Sequence, residues 1–190
     1  SYLLFLLQER KLASSTVNLH MDAIKTFFKI MAPQSTIMNE FCHVKTPHRV
    51  PLVLSKAEVN RMIDATGNLK YKAILMMLYS AGLRLMECVT LKPTHIESDR
   101  MKVRIEQGKG KRDRYSVLSR KTLDVLHHYY RACRPKNWLF EGRDGKHLCP
   151  RMIGKIVTDA ARDARIGKKV HPHTLRHCFA THLLEAGVAL

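Results

Sequence analysis

The sequence predicts an α+β fold that is mostly α-helical and contains one small antiparallel β-sheet. Apolar residues recur every three or four positions through several segments, which is the period of a helix with one buried face. Residues 101–106 instead alternate apolar and charged side chains, and a turn rich in Gly and Lys leads from them to a second short segment of the same kind. With 190 residues, the chain can hold one full domain and part of another, or two small domains.

The first predicted helix follows the polar run Ser14-Ser15-Thr16. Five apolar residues recur behind it at helical spacing: Val17, Met21, Ile24, Phe28 and Met31. Pro33 ends this helix, because proline has no backbone N–H to continue the hydrogen-bond ladder. Residues 34–51 contain prolines and keep no period, so we predict a linker that divides the chain into residues 1–46 and residues 47–190.

The second of these regions is predicted to be largely helical. Ser55 and Glu58 have the spacing of a capping box, which marks a helix start. Pro93 stops the third of the predicted helices, and Gly187 closes the last. The predicted bounds are about 56–65, 70–80, 84–91, 120–133, 151–165 and 173–186.

The alternating segments 101–106 and 114–118 are predicted to form a β-hairpin whose tip, residues 107–111, is basic. Basic residues dominate the whole sequence: 33 Lys and Arg stand against 16 Asp and Glu, a net charge of +17. Most of the excess lies in residues 100–190, which hold 21 basic and 8 acidic side chains. A polyanion is therefore the expected partner, and the second half is expected to bind it.

Several protein classes are disfavoured by the same composition. The longest apolar stretches, residues 2–7 and 73–79, are far shorter than the roughly 20 residues that span a bilayer, so we expect no membrane segment. Residues 1–7 follow no basic region and precede no cleavage site of small residues, unlike a signal peptide. The five cysteines are scattered and never spaced as CxxC, which favours reduced thiols and a cytoplasmic protein over a disulfide scaffold or zinc ribbon.

Three short motifs combine a cation or an imidazole with a helix start or a turn. They are Ala81-Gly82-Leu83-Arg84-Leu85-Met86-Glu87, Gly108-Lys109-Gly110-Lys111 and His173-Thr174-Leu175-Arg176-His177. Glu87 lies three residues after Arg84 and can hold its guanidinium in one orientation. One helical turn directs His173 and Arg176 towards the same point. An arginine pair suits a phosphodiester, because each planar guanidinium can bind two non-bridging oxygens while negative charge builds on them.

The order of these motifs resembles the tyrosine recombinases, also called phage integrases, and is most similar to their Xer and integron-integrase branch. The residues that carry the resemblance read Gly-Leu-Arg-x-x-Glu, then a Gly-Lys-Gly hairpin, then His-x-Leu-Arg-His-x-Phe-Ala-Thr-His, and they span about residues 50–190. The resemblance implies that residues 47–190 are the family's catalytic domain without its C-terminal end. Residues 1–32 look like the end of the helical core-binding domain, so that 1–46 would be a partial core-binding domain and linker.

The resemblance also implies a function and roles for individual residues. The function is site-specific DNA recombination and integration, by cleavage and rejoining of strands in a phage or mobile-element context. Arg84 and Arg176 would clamp the scissile phosphate, with Glu87 in support. Lys109 would be the general acid for the 5′-oxygen, with Lys111 as the alternative. His173 would contact the phosphate and act in acid–base chemistry. No cofactor or metal ion is implied, and the partner is double-stranded DNA, on which full-length members assemble as tetramers.

The family's nucleophilic tyrosine follows a second His or Trp, and both normally lie beyond the point reached by residue 190. The six tyrosines of this sequence all precede the last motif, at positions 2, 71, 79, 115, 129 and 130. We therefore expect the 190-residue chain to bind DNA without forming a covalent phosphotyrosyl link.

Other interpretations remain open. One is a catalytically silent DNA-binding module that competes for recombination sites. A basic RNA-binding protein is a more distant alternative, against which stands the lack of an aromatic-rich RNA-binding motif. His173 and His177 could also form a metal pair, joined by Cys178 and His182, although Arg176 would then lie beside the metal ion.

Overall fold

The computed structural model describes residues 2–32, 42–46, 51–106 and 113–188. The chain forms two compact units, Ser1–Val50 and Pro51–Leu190. This division, between residues 50 and 51, falls inside the predicted linker and four residues after the predicted boundary between residues 46 and 47.

In the first unit, the described residues form the helices α1 (Tyr2–Gln8) and α2 (Ser14–Met31). The sequence predicted α2 but not α1, which is only seven residues long and has no polar residue before Gln8 to reveal a face. In α2, Val17 and Met21 are buried, whereas the last residues of the apolar stripe stay exposed. Asn18 fastens the described part of the linker to α2, because its side-chain amide exchanges two hydrogen bonds of 2.9 Å with the backbone of Val44.

The second unit contains the six helices that the sequence predicts, each within one or two residues of its predicted bounds. They are α3 (Lys56–Ala65), α4 (Leu69–Ser80), α5 (Leu85–Val89), α6 (Arg120–Cys133), α7 (Pro150–Asp163) and α8 (Pro172–Glu185). The predicted capping box is confirmed: the Glu58 backbone N–H donates to Ser55 Oγ at 3.1 Å, and the Ser55 N–H donates to Glu58 Oε2 at 2.7 Å. Gly187 ends α8 with φ +73°, as predicted.

One antiparallel sheet of three strands accompanies the helices, in the order β1 (Ile96–Glu97), β2 (Lys102–Ile105), β3 (Arg114–Val117). The two longer strands are those predicted from alternation, and they pair with Arg104 opposite Tyr115. β1 has only two residues, too few for an alternating pattern to show in the sequence. The predicted hairpin tip lies outside the described residues.

Helix α4 is at the centre of the second unit and packs against α3, α5, α6, α7 and α8. Its buried side chains point in several directions rather than along one stripe: Ala73, Ile74, Leu75, Met77 and Leu78. A helix that is apolar on most sides must be surrounded by other elements, so the remaining helices assemble around it. Within the described ranges, no helix is both long and apolar enough to cross a membrane.

A left-handed turn ends α4 and leads to α5. Gly82 has φ +56°, a conformation that costs an L-residue about 1–2 kcal/mol. The ring of Phe179 from α8 lies so close to the Gly82 Cα that a Cβ there would overlap it. The glycine is thus needed both for the backbone conformation and for the close approach of α8.

We expect Gly82→Ala to destabilise the fold by about 2–4 kcal/mol, the sum of backbone strain and overlap with Phe179. Gly154→Ala is the matched control, because this glycine lies inside α7 and a Cβ there meets no atom within 4 Å. It should instead stabilise the protein by about 0.5–1 kcal/mol. Urea unfolding followed by circular dichroism measures both changes, and equal effects of the two substitutions would refute the assigned role of Gly82.

Candidate active site

The turn at Gly82 places Arg84 at the start of α5. Arg84 is the N-cap residue, with extended backbone, and Glu87 is the third residue of the helix. The Arg84 backbone N–H donates to Glu87 Oε2 at 2.7 Å, and the Arg84 guanidinium donates to Glu87 Oε1 at 2.8 Å. The predicted contact is confirmed, but its cause is the geometry of a helix cap rather than two residues on one face of a helix.

A second arginine reaches the same carboxylate from the sheet. Arg114, the first residue of β3, donates from Nη2 to Glu87 Oε2 at 2.7 Å. Ser116, two residues further, donates from Oγ to the carbonyl of Ala81 at 2.6 Å. Alternation along a strand puts both side chains on one face, so this face of β3 is fastened to the turn that leads into α5. The sequence analysis missed Arg114, because alternation assigns it a face but does not say what that face meets.

Helix α8 brings the third arginine. Arg176 donates from Nη1 to the carbonyl of Gly82, and the same nitrogen is 4.0 Å from Glu87 Oε2. The start of α8 is set by His171, whose Nδ1 accepts from the Thr174 backbone N–H at 3.3 Å, and by Pro172 in the first turn. The structure therefore gathers Arg84, Arg114 and Arg176, from three separate elements, around one carboxylate.

The charges in this cluster do not balance. Three guanidinium groups surround Glu87, whose side chain is only 8% exposed. Burial alone would raise the pKa of Glu87, but the hydrogen bonds from Arg84 and the charge of Arg114 outweigh it and hold the pKa below its ordinary value. Burial, together with Arg84 and Arg114, lowers the pKa of Arg176, although a guanidinium remains protonated in proteins. Two positive charges are left in excess, which is the condition for binding an anion.

His173 lies one turn before Arg176 on α8 and is exposed to solvent. Its ring meets the ring of His177 edge-on, with the centroids 4.3 Å apart. Partial burial lowers the pKa of His173, and the neighbouring His177, His171 and Arg176 lower it further. A lowered pKa favours the neutral imidazole, in which one nitrogen donates a hydrogen bond and the other accepts one.

The four residues considered as a metal site do not converge. Cys178 is buried, and its Sγ accepts from the Leu54 backbone N–H at 3.1 Å. His182 pairs through Nδ1 with the Tyr79 hydroxyl at 2.9 Å. Among the residues that the structure describes, no three His, Cys, Asp or Glu side chains form a group able to hold a metal ion. Lys109 and Lys111, the two candidates for the general acid, lie outside the described residues.

Comparison with known proteins identifies the family. Residues 53–190 match the model of the phage integrase family. The chain is 43% identical over 189 residues to y4qK of Sinorhizobium fredii (strain NBRC 101917 / NGR234), described as an integrase/recombinase. The alignment covers 98% of this chain and 61% of that protein. It is 33% identical over 190 residues to the tyrosine recombinase XerA of Pyrococcus horikoshii, with 97% of this chain and 66% of that one covered. The chain thus spans less than two thirds of the length of either relative.

Solved structures agree on the fold. The crystal structure of XerA recombinase superposes with a TM-score of 0.70 at 27% identity, over 99% of this chain and 68% of that one. The XerH site-specific recombinase, bound to its palindromic difH substrate in a post-cleavage complex, superposes with a TM-score of 0.77 at 20% identity, over 98% of this chain and 58% of that one. The fold class predicted from the sequence is confirmed. With most of its length matched both by the family model and by close relatives, the chain belongs to the phage integrase family, the tyrosine recombinases.

Proposed function

We propose that this chain carries the phosphate-binding part of an enzyme of site-specific DNA recombination and integration, which cleaves and rejoins strands through a 3′-phosphotyrosyl intermediate. The observation that carries the proposal is the gathering of Arg84 and Arg176 around the buried carboxylate of Glu87, with His173 one turn away on α8. These are the residues to which the family resemblance assigns the scissile phosphate.

The chemistry requires such a cluster. The tyrosine hydroxyl gives up its proton to a base and its oxygen forms a new bond to phosphorus, while the bond from phosphorus to the 5′-oxygen breaks and the 5′-oxygen takes a proton as it leaves. Negative charge grows on the two non-bridging oxygens, where Arg84 and Arg176 would bind. Lys109, or Lys111, would donate the proton to the leaving oxygen, which is worth about 10²–10⁴ in rate. His173 would donate a hydrogen bond to a phosphate oxygen and take part in acid–base chemistry, as the family resemblance implies.

Double-stranded DNA is the partner that the charge favours, since 21 basic and 8 acidic residues lie within residues 100–190. XerH, which has the same fold, is bound to a DNA substrate in its solved structure, in support of this proposal. We further propose that residues 1–46 are part of a core-binding domain and linker, that residues 47–190 belong to the catalytic domain, and that the full-length protein acts as a tetramer on DNA in the cytoplasm, in the service of a mobile element.

We expect the 190-residue chain to bind duplex DNA with an affinity that falls steeply as salt rises, because phosphate contacts release condensed counterions. A protein with 6–10 such contacts loses roughly 10³–10⁵ in affinity between 50 and 200 mM salt. Fluorescence anisotropy with a labelled duplex at these two concentrations measures the effect. Single-stranded RNA of the same length is the control. Tighter binding of the RNA, or a salt-independent affinity for DNA, would contradict the proposal.

Arg84→Ala and Arg176→Ala should reduce strand cleavage by about 10²–10³, because charge stabilisation of the transition state is lost. Their affinity for DNA should stay within a few-fold of the parent, since one contact among many is removed. The measurement uses the product of the complete reading frame on a nicked suicide substrate. Arg162→Ala is the matched control, because Arg162 lies on α7 in an exposed ion pair with Asp159. Cleavage by either cluster variant at the rate of this control would refute the phosphate clamp.

The 190-residue chain alone should form no covalent adduct with DNA, with magnesium or with EDTA. None of its tyrosines follows His173. The Tyr79 hydroxyl is bonded to His182, and the ring of Tyr115 lies beneath the cations of Arg100 and Lys102. A denaturing gel with labelled nicked DNA tests this. A protein-linked band would reveal another nucleophile, and cleavage only with magnesium would indicate a metal nuclease. A catalytically silent DNA-binding module would also bind DNA without forming an adduct. Strand cleavage by the product of the complete reading frame would distinguish the recombination enzyme from that alternative.

A further inference from the structure

Glu87 stabilises the candidate site but also weakens it. Its carboxylate accepts the backbone N–H of Arg84 and so caps α5, a helix of only five residues. The same carboxylate lies 2.8 Å from the guanidinium of Arg84 and 4.0 Å from that of Arg176. A buried negative charge at these distances lowers the attraction of both arginines for a phosphate, which must approach the same nitrogens.

Arg114 offsets this charge. Its Nη2 lies 2.7 Å from Glu87 Oε2, whereas Arg84 Nη1 binds the other oxygen, Oε1, so the two guanidiniums occupy opposite ends of the carboxylate. Among the residues that the structure describes, the buried Nε of Arg114 has no hydrogen-bond partner. The ion pair between its Nη2 and Glu87 helps to hold this guanidinium in the cluster. With Arg114 the three arginines and Glu87 carry two net positive charges, and without it they carry one.

The two net positive charges of this cluster match the charge of the transition state better than that of the ground state. A phosphodiester carries one negative charge, and attack by a tyrosinate adds a second, which is shared with the non-bridging oxygens until the 5′-oxygen leaves with a proton. An arrangement that fits the charge of the transition state accelerates the reaction, whereas one that fits only the substrate does not.

We propose that Arg114 is a positioning residue that neutralises Glu87, so that Arg84 and Arg176 keep their full charge for the phosphate. This inference rests on the proposed function of the same cluster and adds a residue to it. Glu87 can then cap α5 without reducing the affinity of the arginines for an anion. Charge on residue 114, rather than contact between residue 114 and the phosphate, is what the site requires.

The test uses the 190-residue chain and inorganic phosphate as the probe. Binding is measured as the rise in Tm with phosphate relative to chloride at equal ionic strength. Arg114→Gln should weaken the apparent affinity for phosphate about five- to tenfold, as expected for one unpaired charge at this distance. Adding Glu87→Gln to this variant removes the uncompensated carboxylate and should restore most of the affinity. Arg114→Lys keeps the charge and should stay within about twofold of the parent.

Three results would overturn the assignment of Arg114. They are an Arg114→Gln variant that binds phosphate as the parent does, a double variant no better than Arg114→Gln, and an Arg114→Lys variant as weak as Arg114→Gln. The second of these would indicate direct contact with the anion. The comparison of Arg114→Lys with Arg114→Gln tests the role of charge at residue 114 even if the variant with Glu87→Gln fails to fold.

Two further variants separate this inference from the proposed function. Arg162→Gln loses the same charge at an exposed ion pair and should leave phosphate binding unchanged. Arg84→Gln should lose phosphate binding. If Arg84→Gln binds phosphate as the parent does, the cluster is not a phosphate site and both proposals fail. If only the Arg114 variants depart from expectation, the proposed function stands and the role of Arg114 is wrong.

Discussion

One carboxylate organises the candidate site. Glu87 accepts hydrogen bonds from the backbone and side chain of Arg84 and from the side chain of Arg114, and it lies near Arg176. Three guanidiniums would otherwise repel one another in a partly buried space, so their convergence depends on a negative charge between them. The position of that charge depends in turn on α5, whose first turn holds the Glu87 side chain in place.

The frame around the carboxylate is set by α4. Because α4 is buried on most sides, it fixes the positions of α5, α6 and α8 at the same time. Along α8, three side chains at intervals of three residues meet the end of α4 and the turn after it. Arg176 bonds the Gly82 carbonyl, Phe179 covers Gly82, and His182 pairs with Tyr79. Arg176, which would bind a phosphate, therefore lies in the same row of α8 side chains as the packing residues Phe179 and His182.

The sequence predicted the helices from α2 to α8, the two longer strands and the contact between Arg84 and Glu87, because these depend on local spacing and capping. It did not predict α1 or β1, which are too short to show a period. It also did not reveal Arg114 as part of the cluster, since that depends on which face of β3 packs against the turn after α4, a matter of tertiary packing. The role of Lys109 stays a prediction from the family motif. His182, considered in the sequence as part of a possible metal site, is instead a buried packing residue that pairs with Tyr79.

The contacts that α8 makes join distant parts of the chain. Tyr79 and His182 are 103 residues apart, Gly82 and Arg176 are 94 apart, and Leu54 and Cys178 are 124 apart. During synthesis the N-terminal part of a chain emerges and collapses first, and contacts of high sequence separation form last. Arg84 and Glu87 thus leave the ribosome long before Arg176 does. Most of the basic residues between 100 and 190 also emerge before α8, yet the arginine cluster is incomplete until α8 docks, so a growing chain would bind nucleic acid only diffusely until then.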